Sequence, residues 1–125
     1  ENYFERVIHH EVFHIINDTY KELFNEKIWS DFNVKEFEYA ECSTCTDKLG
    51  LDTYKKTDGF FTEYSRSTAS EDMAEVFSHL MMGLDINNTD PILEKKIQFI
   101  KTNILKIDKN FILWLKKLKP LSLKR

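Results

Sequence analysis

The sequence predicts a mostly α-helical fold in one domain, and three observations support this. The chain has 125 residues, a length typical of a single domain. It contains only three Gly and two Pro, too few turn-forming residues for a barrel or sandwich of many short strands. Apolar residues recur at helical spacing along most of the chain. With 42% hydrophobic residues, the composition supports a modest core and excludes a fully disordered chain.

The first helix is predicted from Tyr3 to about Phe24, a stretch without Gly or Pro. Its apolar residues at helical spacing are Val7, Ile8, Ile15, Ile16, Leu23 and Phe24. Between residues 25 and 59 the periodicity weakens. We expect irregular structure there, with one or two short helical turns.

The second long helix is predicted after a turn at Gly59 and a short extended segment. Thr68 and Glu71 have the spacing of a capping box, and Ser70 is a competing N-cap. The helix should run to about Met82 and stop at Gly83. Four of its residues should pack in the core: Met73, Val76, Phe77 and Leu80.

The third long helix should begin at Asp90 and Pro91, a cap followed by proline at the first helical position, and run to about Ile107. A last helical stretch is predicted from Phe111 to Lys117 and is closed by Pro120. From Pro91 onward the chain carries ten Lys or Arg residues and two acidic ones. A solvated lysine-rich face explains this charge; binding to nucleic acid or to an anionic membrane is the alternative.

Residues 10–14, His-Glu-Val-Phe-His, form an HExxH pattern on the first predicted helix. Residues four apart lie one turn apart on the same helical face, so His10 and His14 can converge on one metal ion. Glu11 lies beside the first histidine and can accept a proton from a water molecule without binding the metal itself. The pattern therefore predicts a catalytic zinc site. The alternative is a surface helix with two ordinary histidines.

A catalytic zinc ion needs a third protein ligand, and the extended forms of HExxH with a further His or Asp are absent. A Glu on the second long helix is the natural source. Glu71 and Glu75 are four residues apart and share a face. One of them can bind the metal while the other supports a histidine by a hydrogen bond. The alternative for either residue is a place on a solvated helix face.

Two sequence blocks, together with HExxH, resemble a group of zincin peptidases. Residues 59–67 contain Tyr64-Ser65-Arg66, and residues 70–75 read Ser-Glu-Asp-Met-Ala-Glu. In this order they are similar to the catalytic domain of anthrax lethal factor and to the zinc-binding metallopeptidases of Bacteroides-type lipoproteins. The resemblance covers about residues 7 to 82. It implies a zinc-dependent metalloendopeptidase with a zincin-like fold.

The resemblance also implies a role for each residue of the site. His10, His14 and Glu71 would bind Zn²⁺, and Glu11 would be the general base. Tyr64 would donate its hydroxyl to the oxyanion of the transition state. Another residue, Glu75, would support a zinc-binding histidine. Residues 25–59 match nothing in the family, so the resemblance does not cover the walls of a substrate site.

Four further His and Cys residues have other interpretations. His9 points about 100° away from His10 on a helix and should not share its metal. His79 can approach the site, but a core or surface position is favoured. Cys42 and Cys45 form a CxxC pattern, for which two thiols or a local disulfide is the plainest interpretation; half of a zinc site and a redox dithiol are alternatives.

We expect residues 1–125 to be one metallopeptidase catalytic subdomain, the C-terminal part of a longer protein, with little or no sheet. The sheet that binds substrate in zincins normally precedes the HExxH helix, and only nine residues precede His10. The expected partner is a protein or peptide substrate and not a nucleic acid, in a secreted or cell-surface setting of bacterial type. Membrane anchoring through a preceding N-terminal region stays open. The alternative function is an inactive zincin-like metal-binding or interaction module with a basic helical tail.

Overall fold

The computed structural model describes residues 3–46, 53–83 and 90–110. These residues contain four helices, α1 (Tyr3–Thr19), α2 (Glu26–Ser30), α3 (Ala69–Met81) and α4 (Pro91–Ile107), and two 3-10 turns, Lys21–Leu23 and Tyr64–Arg66. Within these three ranges there is no β-strand, and one antiparallel bridge joins Thr53 to Thr62. The predicted mostly α fold is confirmed.

Helix α1 is shorter than predicted, because it ends at Thr19 and not near Phe24. The Thr19 hydroxyl donates to the carbonyl of Ile15, and the chain then turns through the 3-10 segment. This turn brings the ring of Phe24 to Phe13, with ring centroids 5.0 Å apart. Phe24 reaches the core by a change of chain direction, which apolar periodicity cannot reveal. Ile15 remains 68% exposed, so α1 buries its other face.

The stretch after α1 contains one short helix, α2. The Asn25 side chain caps it by accepting from the backbone N–H of Ile28 at 3.0 Å. Trp29 of this helix is fully buried. The rest of the described part of residues 25–59 is irregular apart from isolated turns and the bridge at Thr53, as predicted.

Helix α3 begins where the sequence predicts. The Thr68 side chain accepts from the backbone N–H of Glu71 at 3.1 Å, so Thr68 is the N-cap and Ser70 lies inside the first turn. The Glu71 carboxylate is directed to α1 instead of closing the predicted capping box. The helix is followed by Gly83 in the left-handed conformation, φ 64°.

Helix α3 is the centre of the fold. It packs against α1, α2, α4 and the 3-10 turn Tyr64–Arg66. Its residues from Asp72 to Met81 are all buried, including the four predicted core residues. The core also includes Phe13 of α1 and Ile100 of α4, both fully buried. Residues on α3 are therefore held from several sides at once.

Helix α4 has the predicted bounds, with Asp90 as its cap. One Asp90 oxygen accepts from the N–H of Leu93, and the other accepts from the N–H of Gly59 at 3.0 Å. Gly59 has φ 104°, and a Cβ there would lie 2.4 Å from the Ile92 side chain. Only glycine fits this approach. The predicted helical stretch from Phe111 to Lys117 and the closing Pro120 lie outside the described residues.

A buried ion pair fixes α4 on α3. The Lys96 ammonium lies 2.8 Å from an Asp72 carboxylate oxygen, and both side chains are fully buried. The same carboxylate oxygen accepts from the Tyr39 hydroxyl and from the Trp29 indole N–H. Burial lowers the pKa of Lys96, which the Asp72 charge opposes.

None of the described helices is long and apolar enough to cross a membrane.

Candidate metal centre

Three side chains from α1 and α3 converge on one point. His10 Nε2 lies 2.7 Å from Glu71 Oε1, and His14 Nε2 lies 2.8 Å from the same oxygen. The two histidine Nε2 atoms are 3.2 Å apart. One ligand atom from each residue lies within 4.8 Å of the others, so the group can hold a metal ion. The HExxH pattern supplies two of these three candidate ligands, because its histidines lie one turn apart on the side of α1 that faces α3.

The hydrogen bonds around His10 fit a bound cation. Glu75 Oε2 lies 2.7 Å from His10 Nδ1, so the proton of a neutral His10 belongs on Nδ1. Nε2 then presents a lone pair, yet a carboxylate oxygen of Glu71 faces it at 2.7 Å. Two acceptors at that distance require a proton or a metal cation between His10 Nε2 and Glu71 Oε1. Two imidazole nitrogens and one carboxylate are a ligand set typical of catalytic zinc.

Without a metal ion, protonation of His10 resolves the conflict. Burial lowers the pKa of His10, but hydrogen bonds to Glu71 and Glu75 outweigh burial and raise it to about 9. For Glu71, burial acts to raise the pKa, but hydrogen bonds from His10 and His14 keep it well below its usual range. The site therefore already contains an ionised carboxylate where a metal ion needs one.

The two residues expected to act on substrate lie beside this group. The Tyr64 ring centroid is 5.9 Å from that of His10. Burial raises the pKa of Tyr64 to about 12, helped by its hydrogen bond to Glu71 and by the charge of Glu11. The Tyr64 hydroxyl is therefore protonated at neutral pH and can donate. Glu11 is exposed on α1, next to His10, where solvent reaches it.

A sequence profile described as "putative zinc-binding metallo-peptidase" matches residues 1–110. The match covers all three converging residues, and the family description names the metal that suits their ligand atoms. The chain belongs to this zinc-binding metallopeptidase family. Comparison with curated proteins and with solved structures gives no significant match.

The candidate metal site also contains supporting residues that the sequence did not predict. Ser70, interpreted only as a possible cap, places its hydroxyl 3.3 Å from His14 Nδ1. Thr62 donates its hydroxyl to Glu75 Oε1 at 2.8 Å. Ser70 stands next to Glu71 in a recognisable block and could have been proposed. Thr62 lies 13 residues before Glu75 and has no sequence signal that marks it.

The other two histidines do not belong to the candidate zinc-binding group, which consists of His10, His14 and Glu71. His79 is 7% exposed and stacks on Phe61 with ring centroids 4.2 Å apart, so it is a core residue. Its Nδ1–H donates to the backbone carbonyl of Glu75 at 2.8 Å. His9 is half-buried, and it is not among the three residues that converge.

Cys42 and Cys45 form a disulfide, one of the two plainest interpretations of the CxxC pattern. Cys42 lines a mostly polar pocket of about 360 Å³ that reaches Ser70 and Glu71. A larger cavity of about 540 Å³ lies between α2 and α4 and contains none of the predicted site residues. Of these two cavities, the smaller one adjoins Glu71 of the candidate metal site.

Proposed function

We propose that this chain is the catalytic part of a zinc-dependent endopeptidase that hydrolyses protein or peptide substrates. One observation carries the proposal: His10, His14 and Glu71 converge on one point, with Glu11 on the solvent side and Tyr64 alongside. Family membership supports it, because the family description combines zinc binding with peptidase activity. The polar pocket beside Glu71 offers space for a substrate next to the three converging side chains.

The proposed reaction divides its tasks among named side chains. A bound zinc ion would supply a Lewis acid that polarises the scissile carbonyl and lowers the pKa of water. Glu11 takes the proton of the attacking water and passes it to the leaving amine. Tyr64 donates its hydroxyl to the oxyanion that develops on the substrate carbonyl. Glu75 holds His10 in the tautomer whose Nε2 is free to bind metal.

We also propose a secreted or cell-surface location, as the sequence suggests. The Cys42–Cys45 disulfide supports this location, because disulfides form and persist in oxidising compartments.

The proposal is tested by Glu11→Gln. This substitution removes the base but leaves all three zinc-binding side chains in place. We expect zinc content equal to that of the wild-type protein and a kcat/KM for a generic unfolded protein substrate lower by about 10²–10⁴-fold, the usual contribution of a general base. Zinc content is measured by atomic absorption and hydrolysis by the release of new amino termini.

Asp18→Asn is the matched control. Asp18 is an exposed carboxylate on the same face of α1, about two turns after Glu11. Its substitution should leave hydrolysis unchanged. Full turnover by Glu11→Gln would refute the proposed mechanism. A wild-type protein that binds zinc but cleaves nothing would instead favour the alternative, an inactive metal-binding module.

A further inference from the structure

A buried pair of hydroxyl groups lies behind the zinc-binding group. Thr62 is 1% exposed and Ser65 is fully buried. Their Oγ atoms are 3.0 Å apart, and each hydroxyl oxygen also lies within 3.3 Å of the other residue's backbone N–H. This reciprocal arrangement closes a tight turn around Tyr64. The turn is joined to α3, because Thr62 Oγ1 lies 2.8 Å from Glu75 Oε1.

The protons of this chain of hydrogen bonds have only one self-consistent order. An ionised Glu75 carboxylate can only accept, so the Thr62 hydroxyl donates to it. Thr62 Oγ1 then accepts from Ser65, whose hydroxyl has no second proton to give. At the other end, Glu75 Oε2 accepts from His10 Nδ1–H at 2.7 Å. His10 Nε2 is left as the ring nitrogen that faces Glu71 and His14.

We infer that Thr62 is a positioning residue of the zinc site and that Ser65 assists it. Through Glu75, Thr62 fixes the ring orientation and tautomer of His10; through the turn, it holds Tyr64 beside His10. The inference rests on the proposed function, in which His10 binds zinc and Tyr64 contacts substrate. It adds a role for Thr62, which lies outside the HExxH pattern and the Tyr-Ser-Arg block, and one for Ser65, which lies in that block without an assigned role.

Thr62→Val tests the inference, because valine keeps the shape but cannot donate to Glu75. We expect the zinc dissociation constant, measured by competition with a chelator, to rise by about 10-fold, the lower end of the range for direct partners of metal ligands, because Thr62 acts through Glu75. The kcat at saturating zinc should also fall, because Tyr64 loses its support. Thr62→Ser restores the hydroxyl and should recover both quantities.

Ser78→Ala is the matched control. Like Thr62, Ser78 is buried and has a hydroxyl group near Glu75, but it lies on α3. Its hydroxyl donates to the backbone carbonyl of Glu75 and not to the carboxylate. It should leave zinc affinity unchanged. A folded Thr62→Val protein with wild-type zinc affinity and kcat would overturn the inference. If Thr62→Val does not fold, Ser65→Ala decides: weaker zinc binding supports the inference, and unchanged binding overturns it.

The same measurements separate this inference from the proposed function. A wild-type protein that binds zinc but hydrolyses no peptide would refute the peptidase proposal, and the zinc affinities of Thr62→Val and Thr62→Ser would still decide the positioning role. A wild-type protein that binds no zinc would refute both.

Discussion

Single residues near the zinc-binding group differ in which protonation state their surroundings stabilise. His10 lies between two carboxylates, and its pKa is raised to about 9. His79 lies one turn from Glu75 on α3 and has the opposite preference. Its Nδ1–H donates to a backbone carbonyl, and its Nε2 lies 3.4 Å from an Arg6 guanidinium nitrogen, which can only donate. The neutral ring therefore satisfies both contacts.

The buried His79 predicts a loss of stability in acid. Burial lowers its pKa below the ordinary 6.5, and the Arg6 charge acts in the same direction, while contacts with Glu75 oppose it. The His79 side chain therefore binds a proton more tightly in the unfolded chain than in the folded protein. The stability that neutral His79 contributes is complete above about pH 6.5 and declines as the pH falls below it. His79→Gln should remove this decline. The measurement is the urea unfolding free energy of both metal-free proteins between pH 8 and pH 5.

Both proteins contain His10, so its own contribution cancels in the comparison, and what remains includes the effect of the His10 charge on the pKa of His79. With its raised pKa, His10 contributes stability below about pH 6.5 that is lost as the pH rises towards about 9. The wild-type advantage over His79→Gln should therefore shrink in acid. An advantage that is constant across the range would show that His79 does not titrate on unfolding.

At the scale of elements, the packing of α4 on α3 depends on the Lys96–Asp72 pair. Lys96→Met would leave the Asp72 carboxylate buried without a cation. We expect a loss of about 3–5 kcal/mol in unfolding free energy, the usual cost of breaking a buried ion pair from one side. Urea denaturation measures it. Asp72→Asn combined with Lys96→Met should recover part of the loss, because no charge is then left unpaired.

Lys95→Met is the control for this pair. Lys95 is the preceding residue of α4 and is exposed. Its substitution should change stability by about 0.5 kcal/mol or less, as is usual for surface positions. Equal effects at the two lysines would contradict the structural role of the buried pair.

Helix boundaries that depend on local contacts were predictable, whereas the end of α1 was not. Thr68 and Asp90 cap α3 and α4 through contacts within three residues, so local sequence reveals them. The end of α1 depends on the contact of Phe24 with Phe13, which forms only in the folded chain. Lys96 was equally hidden, because a lysine on a helix is normally solvated and only the presence of Asp72 makes its burial possible.

The residues of the candidate site also fall into those with a local sequence signal and those recognised only from contacts in the folded chain. The i, i+4 spacing marked His10 with His14 and Glu71 with Glu75, and the resemblance added Tyr64. Thr62 and Ser65 could not be predicted, because hydroxyl residues are common in turns and the contact that joins this turn to the site, from Thr62 to Glu75, is made to another element. Sequence reasoning therefore identified the side chains with distinctive chemistry and missed those that act by contact alone.

At the scale of the whole molecule, a zinc ion would connect α1 to α3 in addition to their apolar contacts. A ligand that binds only the folded state stabilises it by about 2.7 kcal/mol at 100 times its dissociation constant. For a domain of this size we expect a rise in Tm of about 10 °C on zinc addition. Calorimetry with and without a chelator measures it, and His14→Ala should abolish most of the rise. A chelator-insensitive wild-type Tm would contradict zinc binding at this site.

The packing of α3 against several elements also limits how the site can change in evolution. The hydrogen bonds of Glu71 and Glu75 to His10 require that these two residues stay one turn apart, and the same holds for His10 and His14 on α1. One inserted or deleted residue between Glu71 and Glu75 would rotate one carboxylate by about 100° about the helix axis and shift the buried residues beyond it out of register. Variation in length can accumulate in the irregular residues 31–46, while this part of α3 can change only by substitution.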